Sequence, residues 1–233
     1  MGPSPLKILA VDKEKLLLLA LSRACKGRLI DIRTAMTSEQ ALAAIDHCHF
    51  DLFMFDLDLK DHSRLELLKY IDEHCPYVPI IFMTTSDVKS CKLNNAIQTT
   101  RKQGSWHLLG KPFSLDRMIG LVEMIFQDQG DVKLCLNSLT HNYDQEKRQL
   151  FRRPHVQSVN FSFKTIVDGD SRRISSKGIL TDINDGGSGM LAHEQLQPEQ
   201  VISFADNFQK QNGIVAWSHM IEKKTCRFGI QFC

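Results

Sequence analysis

Long apolar runs are missing from this sequence. None reaches the roughly 18 residues that a membrane helix needs. The greasiest stretch, residues 16–21, is short and lies between Lys15 and Arg23. The opening Met-Gly-Pro-Ser-Pro-Leu also lacks the apolar core of a secretion signal. Paired cysteine motifs are missing too. The seven cysteines (25, 48, 75, 91, 135, 226 and 233) form an odd, scattered set with no CxxC spacing, which points to reduced thiols rather than a disulfide framework. His47-Cys48-His49 has metal-binding residue types, but neighbours on one helix point in different directions and no second cluster completes a zinc shell. Charge of one sign is not in excess. The net charge is +2, with 16 basic against 16 acidic residues in 1–130 and 13 against 11 in 131–233. That balance excludes a general nucleic-acid binder and makes any anion site a local cluster. No internal repeat, low-complexity tract or DNA-binding helix-turn-helix is visible. The expectation is a cytoplasmic protein with no membrane segment and no nucleic-acid partner.

What is present suffices for two modest cores. A chain of 233 residues with 42% apolar content has room for two domains near the common size of about one hundred residues. Residues 1–128 alternate two patterns. Buried-strand runs occur at 6–11, 29–33, 52–55, 80–83 and 106–109; helical stretches occur at 14–25, 38–47, 65–73, 88–102 and 115–127. Ser38 and Ser114 are the expected N-caps of their helices. Five strands alternating with five helices predict a doubly wound α/β fold, a five-stranded parallel sheet covered on both faces. In such sheets functional side chains collect at the carboxyl ends of the strands. Residues 130–147 read as a polar linker. From 152 onward, short β-rich runs at 156–167, 173–183, 189–191, 201–204, 214–217 and 226–232 predict a small antiparallel β-barrel. The domains are therefore expected at 1–129 and 148–233.

Four residues in the first domain fall at matching strand ends: Asp12 after the first strand, Asp56 after the third, Thr84 on the fourth and Lys111 after the fifth. A carboxylate beside a second acid, a hydroxyl and a lysine suits acceptance of a phosphoryl group. The carboxylate attacks, and the cationic and hydroxyl groups hold the product anion. Asp58, two residues beyond Asp56, is expected to point to solvent. In the haloacid-dehalogenase phosphatases an Asp-x-Asp motif opens the chain and continues with Thr or Val. Here it comes fifty residues in and continues with Leu59, so an enzyme is not expected.

The segments LKILAVDKE, FDLFMFDLDL, PIIFMTTS and LLGKPFSLDRM resemble response-regulator receiver domains in order and spacing. The resemblance implies a flavodoxin-like receiver with Asp56 as phosphoacceptor, Asp12 in the acid pocket, Thr84 as switch hydroxyl and Lys111 as the pocket lysine ahead of a cis Pro112. It also implies a magnesium ion on Asp12 and Asp56, and a histidine kinase as partner. The family places two adjacent acids after strand one, whereas this chain has Asp12 and then Lys13. An ammonium there repels a cation and is expected to weaken magnesium binding. Leu108 replaces the switch aromatic, and no glycine lies within 60–65.

In the second domain Arg148 and Arg152 stand four apart, with Arg153 adjacent, ahead of the first barrel strand. Arginine's planar fork suits phosphodiesters and guanine edges. The string Thr181-Asp-Ile-Asn-Asp-Gly-Gly187 reads as a polar turn after a strand, with glycines free to adopt positive φ. It is not a Walker loop. Together these elements resemble the PilZ family: RxxxR as Arg148 and Arg152, and [D/N]xSxxG as Asp182, Asn184 and Gly187, with Asn184 in place of the serine. The endings IVAWSH and CRFGIQF resemble that family's last strands. The resemblance implies cyclic di-GMP as ligand. The two tryptophans, Trp106 and Trp217, are expected to be core or half-buried, with Trp217 near the ligand in a barrel strand.

The whole then reads as a bacterial signalling protein in which a receiver, acting by phosphorylation or docking, is coupled to cyclic di-GMP sensing. It would act on a downstream protein partner and is compatible with a homodimer. The competing reading is a ligand-independent adaptor built from a pseudo-receiver and a degenerate PilZ barrel.

Overall fold

A computed structural model describes residues 4–26, 28–59, 63–86, 104–126, 153–167, 170–205 and 212–233. The chain divides into two compact units, Met1–Asn142 and Tyr143–Cys233. The helix expected at 88–102 and the linker expected at 130–147 lie outside the described residues.

The first unit holds β1 (Leu6–Val11), α1 (Lys15–Cys25), β2 (Ile30–Ala35), α2 (Ser38–His47), β3 (Leu52–Asp56), α3 (Arg64–His74), β4 (Ile80–Thr84), β5 (Trp106–Gly110) and α4 (Leu115–Ile125). The strands form one parallel sheet in the order β2-β1-β3-β4-β5. Every residue of β3 and β4 is buried, which is why these runs are continuously apolar rather than alternating. Phe53 and Phe55 of β3 join Leu9, Val11, Phe82, Leu67 and Ile71 in one core; Leu52 and Met54, on the other side of the pleat, are buried as well. Each such fully buried side chain contributes about 1.5–3 kcal/mol. Trp106 is half-buried against the same core.

The caps differ in one place from expectation. Ser114 does cap α4, its hydroxyl accepting from Arg117 N at 3.2 Å. Ser38 does not cap α2. Thr37 does, accepting from Gln40 N at 3.3 Å, and Ser38 is the buried first helical residue. Both hydroxyl residues can cap, and the one with extended backbone takes the position.

The second unit is a closed antiparallel barrel of β6 (Arg153–Val167), β7 (Asp170–Asn184), β8 (Gly187–Ala192), β9 (Val201–Ala205), β10 (Asn212–Glu222) and β11 (Thr225–Phe232). Around the barrel the order is β10-β11-β8-β7-β6-β9. Phe161, Phe163, Leu180, Met190, Ile202, Val215, Phe228 and Ile230 fill its interior. Alternate residues therefore face outward, and closure leaves no open sheet edge.

Candidate functional site

The receiver-type pocket forms where four strand ends meet. Asp12 follows β1, held by its own amide donating to Ala35 O at 3.1 Å. Its Oδ1 accepts from Glu14 N at 2.8 Å, a local turn that starts α1. Asp56 ends β3 and accepts from Asp58 N at 3.1 Å. Thr84 ends β4, and its hydroxyl accepts from Ser86 N at 3.0 Å. Lys111 follows β5, placed by its amide donating to Thr84 O at 2.7 Å, and the Lys111–Pro112 bond is cis.

Lys111 Nζ lies 2.6 Å from Asp12 Oδ2 and 2.9 Å from Asp56 Oδ1. Both carboxylates are wholly buried, and the lysine is 12% exposed. Asp56 Oδ2 is buried with no hydrogen-bond partner among the described residues. Burial pushes the Asp12 carboxyl above its ordinary value, against the pull of the Lys111 ammonium. Burial alone would lower Lys111, but the Asp12 and Asp56 carboxylates outweigh it and hold the ammonium above its ordinary value.

Asp58 does not point to solvent. Its Oδ2 accepts from Thr85 N at 2.9 Å and from the Thr85 hydroxyl at 2.8 Å. Burial would raise its carboxyl, but the two Thr85 donors, with Lys111 and Lys13 nearby, hold it below the ordinary value. Lys13 Nζ donates to Asp58 O at 3.2 Å. Arg64 closes the same loop from the side, donating to Leu57 O at 2.8 Å. Sequence reasoning missed this Lys13–Asp58–Thr85 network; the adjacent Thr84-Thr85 pair opposite an Asp-x-Asp loop was the available signal.

These residues do not fit a magnesium ion well. Lys111 already bridges Asp12 and Asp56, and Lys13, next in sequence to Asp12, brings a second ammonium that donates to the carbonyl oxygen of Asp58. Among the described residues, no group of three or more His, Cys, Asp or Glu is placed to hold a metal.

On the barrel, Asp182 and Asn184 belong to β7 and Gly187 opens β8, so the motif straddles a hairpin rather than filling a turn. Asn184 pairs with Gly187 across it, and Asn184 Oδ1 accepts from Gly186 N at 3.0 Å. This two-residue turn needs no left-handed glycine; the glycine with positive φ among the described residues is Gly104, at 75°. Asp182 lies at a register shift of β7. Its Oδ1 accepts from Gly189 N at 3.0 Å, and its main-chain oxygen accepts from the Ser188 hydroxyl at 2.6 Å. Arg153 pairs through the backbone of β6 with Ile183. Arg148 and Arg152 lie outside the described residues.

The outward row beside the motif crosses four neighbouring strands. Asp182 pairs with Gly189, Gly189 with Gly229, and Gly229 with Trp217. Trp217 lies against Gly229 so closely that a Cβ there would come 2.1 Å from the indole Nε1. Arg227, on the same face of β11, places its guanidinium 5.6 Å from the Trp217 ring centroid and 3.7 Å from Asp182 Oδ2.

The parallel sheet and the Asp12–Asp56–Lys111 pocket define the architecture of a signal-receiver domain. The family model of the response regulator receiver domain matches residues 8–123, and the N-terminal unit belongs to that family. Among known proteins, the chain is 28% identical over 116 residues to the transcriptional regulatory protein TrcR of Mycobacterium tuberculosis, covering 50% of this chain and 43% of TrcR. It is 31% identical over 114 residues to the DNA-binding transcriptional regulator NtrC of Salmonella typhimurium, covering 48% of this chain and 23% of NtrC. A longer match, 23% identical over 185 residues, is to the probable transcriptional regulatory protein TcrX of M. tuberculosis, covering 76% of this chain and 77% of TcrX. The chain thus spans less than half the length of TrcR and of NtrC. Among solved structures it is similar to the chemotaxis protein CheY4 of Vibrio cholerae, at 21% identity and TM-score 0.47, covering 52% of this chain and 99% of that one. No helix among the described residues is long and apolar enough to cross a membrane.

Proposed function

We propose that this two-component response regulator couples its receiver to the sensing of cyclic di-GMP by the barrel. The observation that carries the reading is the outward row on the barrel wall. Asp182 offers a carboxylate and Trp217 a ring, each lying over one of two buried glycines, next to the hairpin that bears Asn184 and Gly187. A planar base with donor groups on one edge fits that sequence of surfaces, with its edge on Asp182 and its face toward the indole. Arg148, Arg152 and Arg153 are assigned to the phosphates and a guanine, through bidentate hydrogen bonds that a permanently charged fork makes well.

In the receiver, Asp56 Oδ2 is the oxygen left for a phosphoryl group. Its attack on a phosphohistidine of a histidine kinase forms the O–P bond as the P–N bond breaks. Lys111 Nζ and the Thr84 hydroxyl then hold the new anion. Phosphorylation or docking at this pocket is the input, and the barrel's nucleotide binding is the second input to a downstream protein partner. The reading assigns no chemistry on a substrate to either unit and no contact to nucleic acid.

The test is calorimetric titration of the full-length protein with cyclic di-GMP, run beside Arg152→Ala. Micromolar or tighter binding that the substitution abolishes is expected. No heat from a folded wild-type protein would remove the nucleotide from the proposal and leave a protein-docking adaptor.

A further inference from the structure

Arg227 occupies a peculiar place on the barrel wall. Its cross-strand partners are Leu191 of β8 and His219 of β10, and two residues along the same face of β11 lies Gly229, which pairs with Gly189 of β8. A Cβ on Gly189 would fall 2.2 Å from Asp182 Oδ2, and one on Gly229 would meet Trp217. The two buried glycines therefore make room for those side chains, the carboxylate lying over one and the indole over the other. Three strand spacings of about 4.8 Å put the backbones of Asp182 and Trp217 roughly 14 Å apart. The guanidinium of Arg227 spans that gap, at 3.7 Å from the carboxylate and 5.6 Å from the ring centroid.

A guanidinium is a flat group that presents parallel N–H donors to a carboxylate and can stack on an aromatic face. The guanine edge has the same chemistry: a ring N–H and an exocyclic amine pointing the same way from a flat ring. Adenine does not present that pair of donors. We propose that Arg227 is an internal stand-in for guanine, holding Asp182 and Trp217 in the free barrel and giving way when a guanine nucleotide binds. This rests on the reading of the barrel as a cyclic di-GMP sensor, and it adds a residue outside the two motifs that sets affinity and base specificity. The arrangement keeps the acceptor and the ring in position without ligand, and it obliges any entering base to match a two-donor edge in order to replace the arginine.

The experiment compares wild type, Arg227→Gln and Arg227→Lys, each checked for an intact melting transition, in titrations with cyclic di-GMP and with cyclic di-AMP. A Trp106→Phe background lets emission report Trp217 alone. Arg227→Gln is expected to bind cyclic di-GMP about tenfold tighter, the order set by releasing one half-buried ion pair and one cation–π contact. Arg227→Lys, which keeps charge but loses the fork, should fall between the two, and cyclic di-AMP should gain nothing in either variant. Binding by Arg227→Gln where the wild type is silent would support the stand-in more strongly. Equal or weaker cyclic di-GMP binding by Arg227→Gln, with wild type binding well, overturns the inference and leaves the sensor reading intact. An equal gain for cyclic di-AMP also overturns it, because the competition would not be edge-specific. Silence from every variant overturns the sensor reading and the inference together.

Discussion

Lys13 donates its ammonium to the main-chain oxygen of Asp58 at 3.2 Å. Asp58 in turn accepts twice from Thr85, so three segments, those after β1, β3 and β4, are tied by one short chain of polar contacts. A lysine beside Asp12 places positive charge where a second acid would attract a cation. The local rule broken here is the pairing of acids beside a buried strand-end aspartate, Asp56. The observed compensation is that the lysine has a definite partner.

Exchanging that lysine should change metal binding directly. Lys13→Asp removes a like charge and adds an oxygen ligand, both of which favour a hard cation. Magnesium is expected to bind at least about tenfold more tightly to the variant than to wild type. Magnesium titrations followed by melting temperature and Trp106 emission report this. Indistinguishable titrations would show that Lys13 is not what limits the metal.

Lys111 bridges two wholly buried carboxylates, and Lys111→Met would leave them facing each other uncompensated. Removing one partner of a buried ion pair costs about 3–5 kcal/mol at neutral pH. The pH dependence has a definite sign. Asp12 is already raised above 3.8, and losing Lys111 raises it further. A raised carboxyl stabilises below its unfolded pKa, and that stability disappears as pH rises through the folded value. The variant's deficit in melting temperature should therefore be largest near pH 7 and shrink toward pH 4. A deficit that stays constant across this range would mean that lost packing, not charge, is responsible.

Asp58 behaves in the opposite sense. Its carboxyl is held below 3.8 by Thr85 and the two lysines, against the burial that would raise it. Such a group stabilises fully above the unfolded pKa, and the contribution is lost as pH falls through the lower folded value. Thr85→Val deletes one donor and should steepen nothing at pH 7 beyond a loss of about 0.5–1.5 kcal/mol. Below pH 4 the melting curves of variant and wild type should converge. Divergence on the acid side would contradict the assignment.

The receiver fold was legible because buried parallel strands are continuous apolar runs. β1 was expected at 6–11 and found at Leu6–Val11, and Asp12, Asp56, Thr84 and Lys111 each lie at a strand end. The barrel strands were legible from turn residues, but they extend further than their apolar cores; β7 runs from Asp170 to Asn184 through exposed polar residues that carry no periodic signal. What the sequence hid was pairing at a distance. Nothing local in Gly189 or Gly229 says that they face each other across β8 and β11, or that Asp182 and Trp217 lie at the ends of that row. Likewise, Arg227 reads as one more basic residue in an amphipathic strand until the register puts it beside Trp217. The cap of α2 fell to Thr37 rather than Ser38 because backbone geometry, which composition does not encode, chooses between adjacent hydroxyl residues.

The glycine pair supplies the last test. Gly229→Ala places a methyl carbon where the Trp217 indole now lies, 2.1 Å from Nε1, and that ring cannot yield without leaving the wall. Overpacking of this kind costs about 1–3 kcal/mol, so the melting temperature should fall by several degrees for a domain of this size. The displaced indole, 38% exposed in the native barrel, should show red-shifted emission in a Trp106→Phe background. If the row from Asp182 to Trp217 receives the base, cyclic di-GMP affinity should fall in parallel, by about tenfold or more. A variant that loses stability and shifts its emission yet binds cyclic di-GMP as the wild type does would separate Trp217 from the ligand. It would return the binding claim to the arginines and the Asp182–Gly187 hairpin alone.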